Sequence, residues 1–389
     1  MGQFFKTLNR KNTDSIKWQL AKDISNSDDI YTFSIADSDY ETAPAIKKAL
    51  QNRVKHGAFG YAKPGDNYKD IIYNWYKNRY LAEINKEEIL PCPTVLNGLS
   101  VSLQIFSNQN EKILIQTPVY HVFKSVIETN QRELAINPLS VKNNKYEIDF
   151  LDLEVKFKSG IKVLVFCSPH NPVGRVWSKK ELDNVVLLAK KYNVLLISDE
   201  IHSDIIMPGN KFISLASYFD QYNKIIVISA PTKVFNIAGL QIAQIITNNK
   251  IINNKLKDRF AKLHLSTPNL LAVTALKAAY TKGISWLEAQ NKHIYNNYKY
   301  MKEYISAYKN LFELFPLEGT YLAWVKINIL NYDSTKLTNE LAKIGVFLSD
   351  GFKFGSDKFF VRISLACSKK QLKNGLTKII DYLKDKKII

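Results

Sequence analysis

The middle of the chain alternates short apolar runs with stretches whose apolar residues recur every three or four positions. Lys162–Cys167 is one such run and ends in a turn at Ser168–Pro172. Continuous apolar runs of this length, bounded by turn residues, predict strands buried on both faces. Ser178 comes next with Glu181 three residues on, the spacing of a capping box, which predicts a helix start. Leu182, Val185, Val186 and Ala189 fall on one face of that helix, and Asn193 closes it. Val194–Ser198 and Lys224–Ser229 are the next two strands. This order predicts an α/β fold, a mostly parallel sheet covered by helices.

The flanks read differently. Pro44 opens a helix with Ile46, Ala49, Leu50 and Val54 as its apolar face, and a second helix carries Ile71, Ile72 and Trp75. After about residue 280, Ser285 and Glu288 predict the capped start of a long helix rich in Tyr and Lys. Thr320–Val325 and Phe359–Ser364 are strand-like, and a last helix is predicted from Ser368, with Leu372, Leu376, Ile379, Ile380 and Leu383 on one face. The expected organisation is a large domain over 46–280 and a smaller α+β domain made of 1–45 and 281–389. A cleft between two such units is a natural ligand site.

Composition narrows the function classes. The 389 residues are 46% hydrophobic and 23% charged, a globular balance with enough chain for a large core. There is no apolar run of bilayer-spanning length. Met1–Thr7 carries no signal-like apolar stretch, and Gly2 lacks the Ser or Thr that myristoylation needs where Lys6 stands. A cytoplasmic protein is expected. Cys92, Cys167 and Cys367 are too few and too scattered for a disulfide framework or a zinc site, so no metal is expected. The net charge of +18 comes from lysines spread along the whole chain, with no basic arm or nucleic-acid-binding module. The charge favours anionic metabolites and does not by itself point to nucleic acid.

In an open parallel sheet, ligands bind beyond the carboxyl ends of the strands. Asn171 lies after the first strand, Asp199 ends the second, and Ser229, Thr232 and Lys233 come at and beyond the end of the third. An amine, a carboxylate, an amide and hydroxyls therefore converge at one edge. That set suits pyridoxal 5′-phosphate (PLP), which needs an amine for its aldehyde, an anion at its ring nitrogen, and donors at its phenolate and phosphate oxygens.

Several motifs stand in order along the chain: Asn9–Trp18, Ile35–Tyr40, Phe59-Gly60-Tyr61, Pro118–His121, Ser168–Trp177, Asp199–His202, Ala230–Leu240 and Glu318–Trp324. Over nearly its whole length the sequence resembles the aminotransferase-like fold type I PLP enzymes, and within them the cystathionine β-lyase (cysteine-S-conjugate β-lyase) branch. The resemblance implies that Lys233 holds PLP as a Schiff base and moves protons at the substrate's Cα. It implies Asp199 at the ring nitrogen, Asn171 at the phenolate oxygen and Tyr120 stacked on the ring. The phosphate would meet the amides of Val95 and Leu96, Thr232, Ser229, and Tyr61 reaching across a homodimer interface. His202 also joins the cofactor site, while Arg362 clamps the substrate's α-carboxylate and Ala36 lies beside the substrate.

Many aminotransferases have Tyr where His202 stands and a phosphate-binding Arg where Gln241 stands. Both differences favour the lyase branch. The segment Pro93–Ser100 departs from that branch's phosphate loop. The implied activity is cleavage of L-cystathionine or a related cysteine S-conjugate to a thiol, pyruvate and ammonia. The alternatives are an aminotransferase using the same lysine and cofactor, and a regulatory or nucleic-acid-binding protein on the same scaffold.

Overall fold

The computed structural model describes Phe5 and residues 7–388. Most of the N-terminal segment Met1–Thr7 therefore lies outside the described residues. The main sheet has seven strands: β1 (Ile89–Cys92), β2 (Lys112–Ile115), β3 (Glu133–Ile136), β4 (Val163–Cys167), β5 (Leu195–Asp199), β6 (Ile225–Ser229) and β7 (Ala243–Ile246). Their spatial order is β1-β7-β6-β5-β4-β2-β3. β7 runs antiparallel to both neighbours, and the remaining pairs are parallel. Every residue of β4, β5 and β6 is buried, which is why these strands read as unbroken apolar runs.

The helix Lys179–Lys191 between β4 and β5 has the expected reciprocal capping box of Ser178 and Glu181, and Asn193 beyond its end is left-handed at φ 58°. Two expectations about helices fail. Ser285 does not cap the long helix, which starts one residue earlier at Ile284, directly behind the preceding helix Leu270–Lys282. Gly283 makes that tight junction: a Cβ there would lie 2.4 Å from the Ala279 carbonyl oxygen. In the helix Pro44–His56 only Ile46 is fully buried and Val54 is 53% exposed, so the buried stripe is narrower than its periodicity suggested.

A second, antiparallel sheet is built from β8 (Phe312–Leu314), β9 (Leu322–Ile327), β10 (Ser349–Asp350) and β11 (Phe360–Ser364), in the order β8-β9-β11-β10. The last helix, Lys369–Asp385, is capped by Ser368 and buries Leu372, Leu376, Ile379, Ile380 and Leu383, as its periodicity predicts. Among the described residues no helix is long and apolar enough to cross a membrane.

Candidate active site

Strand alternation decides which side chains at the sheet's carboxyl edge can meet. Cys167 pairs with Asp199 across β4 and β5. With Val163, Val165, Leu195 and Ile197 they lie on the face that packs against the helix Val95–Phe106. Ser229 has the opposite parity, sharing the other face of β6 with Ile225 and Val227. Its hydroxyl lies 2.7 Å from the Tyr76 hydroxyl and accepts from Gln244 Nε2 at 2.8 Å. Ser229 is therefore committed behind the sheet and does not line the cleft, contrary to expectation.

The cleft itself holds about 760 Å³. Lys233, Asp199, Asn171, His202, Tyr120 and Arg362 line it, together with Ala36, Val95, Leu96, Thr232 and Gln241. Nearly every residue singled out from the sequence thus faces one space. Ser229 and Tyr61 are the exceptions. Tyr61 is fully exposed on the irregular segment 57–66 and does not line this chain's own cleft.

Arg362 sits on β11, opposite Trp324 and Ser349. Its Nη1 donates to Asn171 Oδ1 at 3.0 Å, and its Nη2 to the Ser34 carbonyl at 2.9 Å and Ser349 Oγ at 3.2 Å. The guanidinium lies over the Phe354 ring, 4.5 Å from its centroid. Nε is buried without a partner, and among the described residues no carboxylate pairs with the group. Burial pushes its pKa down to about 10. A buried guanidinium held by neutral acceptors alone has unspent capacity for an anion.

Lys233 Nζ donates to the Ala36 carbonyl at 2.8 Å, and the same oxygen accepts from Tyr321 Oη at 2.9 Å. Burial, the largest influence, and the nearby Arg362 push the amine below its usual pKa, while Asp37 and Asp199 pull it back. Ala36 is kept in place by the N-terminal segment. Arg10 and Lys17 both bind Asp37 at 2.9 Å, and Lys17 and Trp18 bind the buried Asp39 at 2.8 and 3.0 Å.

Asp199 accepts from the Ile201 amide at 3.0 Å, and burial pushes its carboxyl up to about 6. His202 is buried edge-on to Tyr321, with ring centroids 5.7 Å apart, and its Nδ1 has no partner. Burial, then Lys233 and Arg362, push it down to about 3, so the ring is neutral. Val95 and Leu96 open the helix Val95–Phe106, whose N-cap Thr94 accepts from the Asn97 amide at 3.1 Å. Val95 and Leu96 line the cleft, so the positive end of this helix's dipole lies at its wall, a setting that suits a phosphate.

Tyr321, Ser34, Ser349 and Phe354 were not singled out from the sequence for this site. Tyr321 lies inside the Glu318–Trp324 motif and was within reach of that signal, whereas the contacts of Ser34, Ser349 and Phe354 depend on long-range packing.

The site's chemistry fits PLP. It offers a depressed amine, a buried carboxylate that a ring cation would stabilise, an amide, and a helix N-terminus for the phosphate. The model of the family "Aminotransferase class I and II" matches residues 28–379. The cystathionine β-lyase PatB of Bacillus subtilis (strain 168) is 34% identical over 380 residues, covering 97% of this chain and 98% of that protein. A PLP-bound protein of Clostridium difficile 630, described provisionally as an aminotransferase, superposes with a TM-score of 0.93 at 35% identity, covering 97% of this chain and 98% of the other. The PLP-bound C–S lyase of Staphylococcus hominis, crystallised with the inhibitor L-cycloserine, superposes with a TM-score of 0.91 at 31% identity, covering 97% of each chain.

Proposed function

The chain belongs to the class I and II aminotransferase family, and from that premise we propose that it is a PLP-dependent carbon–sulfur β-lyase acting on L-cystathionine or related cysteine S-conjugates. The observation that carries the reading is the buried, acid-free guanidinium of Arg362 beside the amine of Lys233 and the carboxylate of Asp199, all in one cleft. When bound, PLP supplies an aldehyde for the substrate amine and an electron sink for charge developing at Cα.

In this reading Arg362 binds and orients the α-carboxylate, using the unspent Nε and the fork that Asn171 and Ser34 hold rigid. The pKa of Lys233 is depressed by burial, which favours the neutral amine that takes the Cα proton. Asp199 would hold the cofactor's ring nitrogen, where a cation beside it would keep the carboxylate ionised. Asn171 donates through its Nδ2, since its Oδ1 is already taken by Arg362. His202 remains neutral and adds no charge. Tyr120 would contact the cofactor's ring, and Thr232 with the amides of Val95 and Leu96 would hold its phosphate.

The net reaction adds water to the conjugate and yields a thiol, pyruvate and ammonia, with the electron pair of the broken Cβ–S bond leaving on sulfur. Gln241 and His202 favour this outcome over transamination. The fully exposed Tyr61 supports a homodimer in which it reaches the neighbouring subunit's phosphate site. We further propose a large domain over 46–280, a small one over 1–45 and 281–389, and a cytoplasmic location.

Incubation of the purified holoenzyme with L-cystathionine, followed by titration of free thiol and pyruvate, tests the reading. Equal amounts of both products are expected. Turnover that needs a keto acid and releases no thiol would make the protein an aminotransferase instead.

A further inference from the structure

The amine of Lys233 and the phenol of Tyr321 donate to the same acceptor, the Ala36 carbonyl oxygen, at 2.8 and 2.9 Å. Among the described residues it is the only hydrogen-bond partner of either side chain. The backbone around that oxygen is held independently of Tyr321. Arg10 and Lys17 bind Asp37, and the Ser34 carbonyl takes Arg362 Nη2. Asn236, on the loop that carries Lys233, exchanges hydrogen bonds with the Ser38 backbone and donates to the Tyr40 carbonyl. Tyr321 is fixed as well. It is fully buried, with the Thr320 amide donating to the Ile205 carbonyl at 2.8 Å and the Leu365 amide to the Tyr321 carbonyl at 2.7 Å. Burial pushes the phenol well above its ordinary pKa, so it stays protonated and donates. With both backbones pinned, the part left to the hydroxyl is electrostatic.

A carbonyl oxygen has two lone pairs, and two donors take up both of them here. A hydrogen bond to an ammonium favours the charged form, and a second donor on the same acceptor weakens that effect. Burial and then Arg362 disfavour the charged amine, Asp37 and Asp199 favour it, and His202 is neutral. Tyr321 adds to the side that leaves Nζ neutral. The second consequence concerns the cofactor. A free amine nitrogen carries two hydrogens and an ammonium three, but a nitrogen bonded to the cofactor's aldehyde carbon carries at most one. Once Lys233 is engaged in that way, the Ala36 oxygen depends on Tyr321 for a donor. Without the hydroxyl a buried carbonyl is left short of partners.

Resting on the PLP-lyase reading of Lys233, we propose that Tyr321 is its positioning residue. Through the Ala36 carbonyl it keeps the amine neutral, and it lets the amine leave that oxygen for the cofactor without orphaning a buried acceptor.

The test follows Lys233 in the cofactor-free protein by competitive labelling with acetic anhydride across the alkaline pH range, read by mass spectrometry of the Lys233 peptide. PLP affinity is measured alongside by titration. Tyr321→Phe is expected to raise the Lys233 pKa by about half to one pH unit, the scale of one neutral hydrogen bond. It is expected to weaken PLP binding about 5- to 100-fold, the cost of one orphaned buried acceptor. Tyr222→Phe removes a buried hydroxyl that donates to the Val194 carbonyl outside the cleft, and it should change neither quantity. Tyr321→3-fluorotyrosine keeps the ring and strengthens the donor, so it should move the Lys233 pKa below the wild-type value. An unchanged labelling profile in Tyr321→Phe, or an equal shift in Tyr222→Phe, overturns the proposal. If Tyr321→Phe does not fold, the fluorotyrosine variant decides alone, and a Lys233 pKa no lower than wild type overturns it. Wild-type holoenzyme that releases no pyruvate from any conjugate overturns the lyase reading instead and leaves the labelling result standing.

Discussion

Replacing Arg362 with Lys keeps the positive charge and removes the fork. In the wild-type protein Nη1 and Nη2 are spent on Asn171 Oδ1, the Ser34 carbonyl and Ser349 Oγ, which fix the plane of the group above Phe354. A lysine ammonium has one nitrogen, and it cannot satisfy these acceptors and a two-oxygen carboxylate together. Losing one charge-assisted hydrogen bond to a buried anion costs about 1.5–3 kcal/mol. At about 1.4 kcal/mol per factor of ten, that is roughly a 10- to 150-fold fall in kcat/KM. Coupling pyruvate formation to lactate dehydrogenase reads this directly, and the cofactor's visible absorbance should be unchanged because Arg362 is assigned to substrate. A variant within about threefold of wild type would refute the carboxylate clamp. Loss of the cofactor band would instead give Arg362 a part in holding PLP.

The same geometry makes three further outcomes testable. Lys233→Ala should leave a protein that binds PLP without a covalent link and lowers the rate of Cα proton exchange by about 10²–10⁴-fold; exchange with deuterated solvent measures it, and near-normal exchange would remove Lys233 from that role. Asp199, held at about 6 by burial, is protonated below that pH in the cofactor-free form and ionised above it. The affinity gained from pairing it with a ring cation is therefore present above about pH 6. It is lost on acidification through that value, by up to about tenfold per pH unit. Dissociation constants for PLP across this window should converge between wild type and Asp199→Asn at the acid end, and parallel curves would contradict the pairing. Thr94→Ala should lower the unfolding free energy of the cofactor-free protein in urea by about 1 kcal/mol through loss of the helix cap, with Thr94→Ser retaining most of it.

The chemistry-bearing edge was legible because it rests on short-range rules. β4, β5 and β6 are buried on both faces, so their apolar runs stand out, and the residues immediately after each run must lie at the carboxyl edge. The Ser178–Glu181 capping box has the same local character. Ser229 shows where such reasoning stops short. It is at the right end of the right strand, yet period-two alternation turns its hydroxyl to the face opposite Asp199, where Tyr76 and Gln244 take it. With β6 apolar on both faces, only the register that sets Ile228 opposite Asp199 shows which face Ser229 takes. Ser285 misled because its capping motif falls inside a helix whose start is set by the close junction at Gly283. The acid-free setting of Arg362 has no local signature, because its partners Asn171, Ser34 and Ser349 lie 191, 328 and 13 residues away. The same holds for Tyr321 and Lys233, which share the Ala36 carbonyl across 285 and 197 residues.

Borohydride reduction of the holoenzyme followed by peptide mapping tests the assignment on which everything else depends. The expected result is loss of the cofactor's visible band and a single pyridoxyl-modified peptide, with the modification on Lys233. A modified lysine elsewhere, or a band that resists reduction, would contradict the placement of the cofactor at this sheet edge.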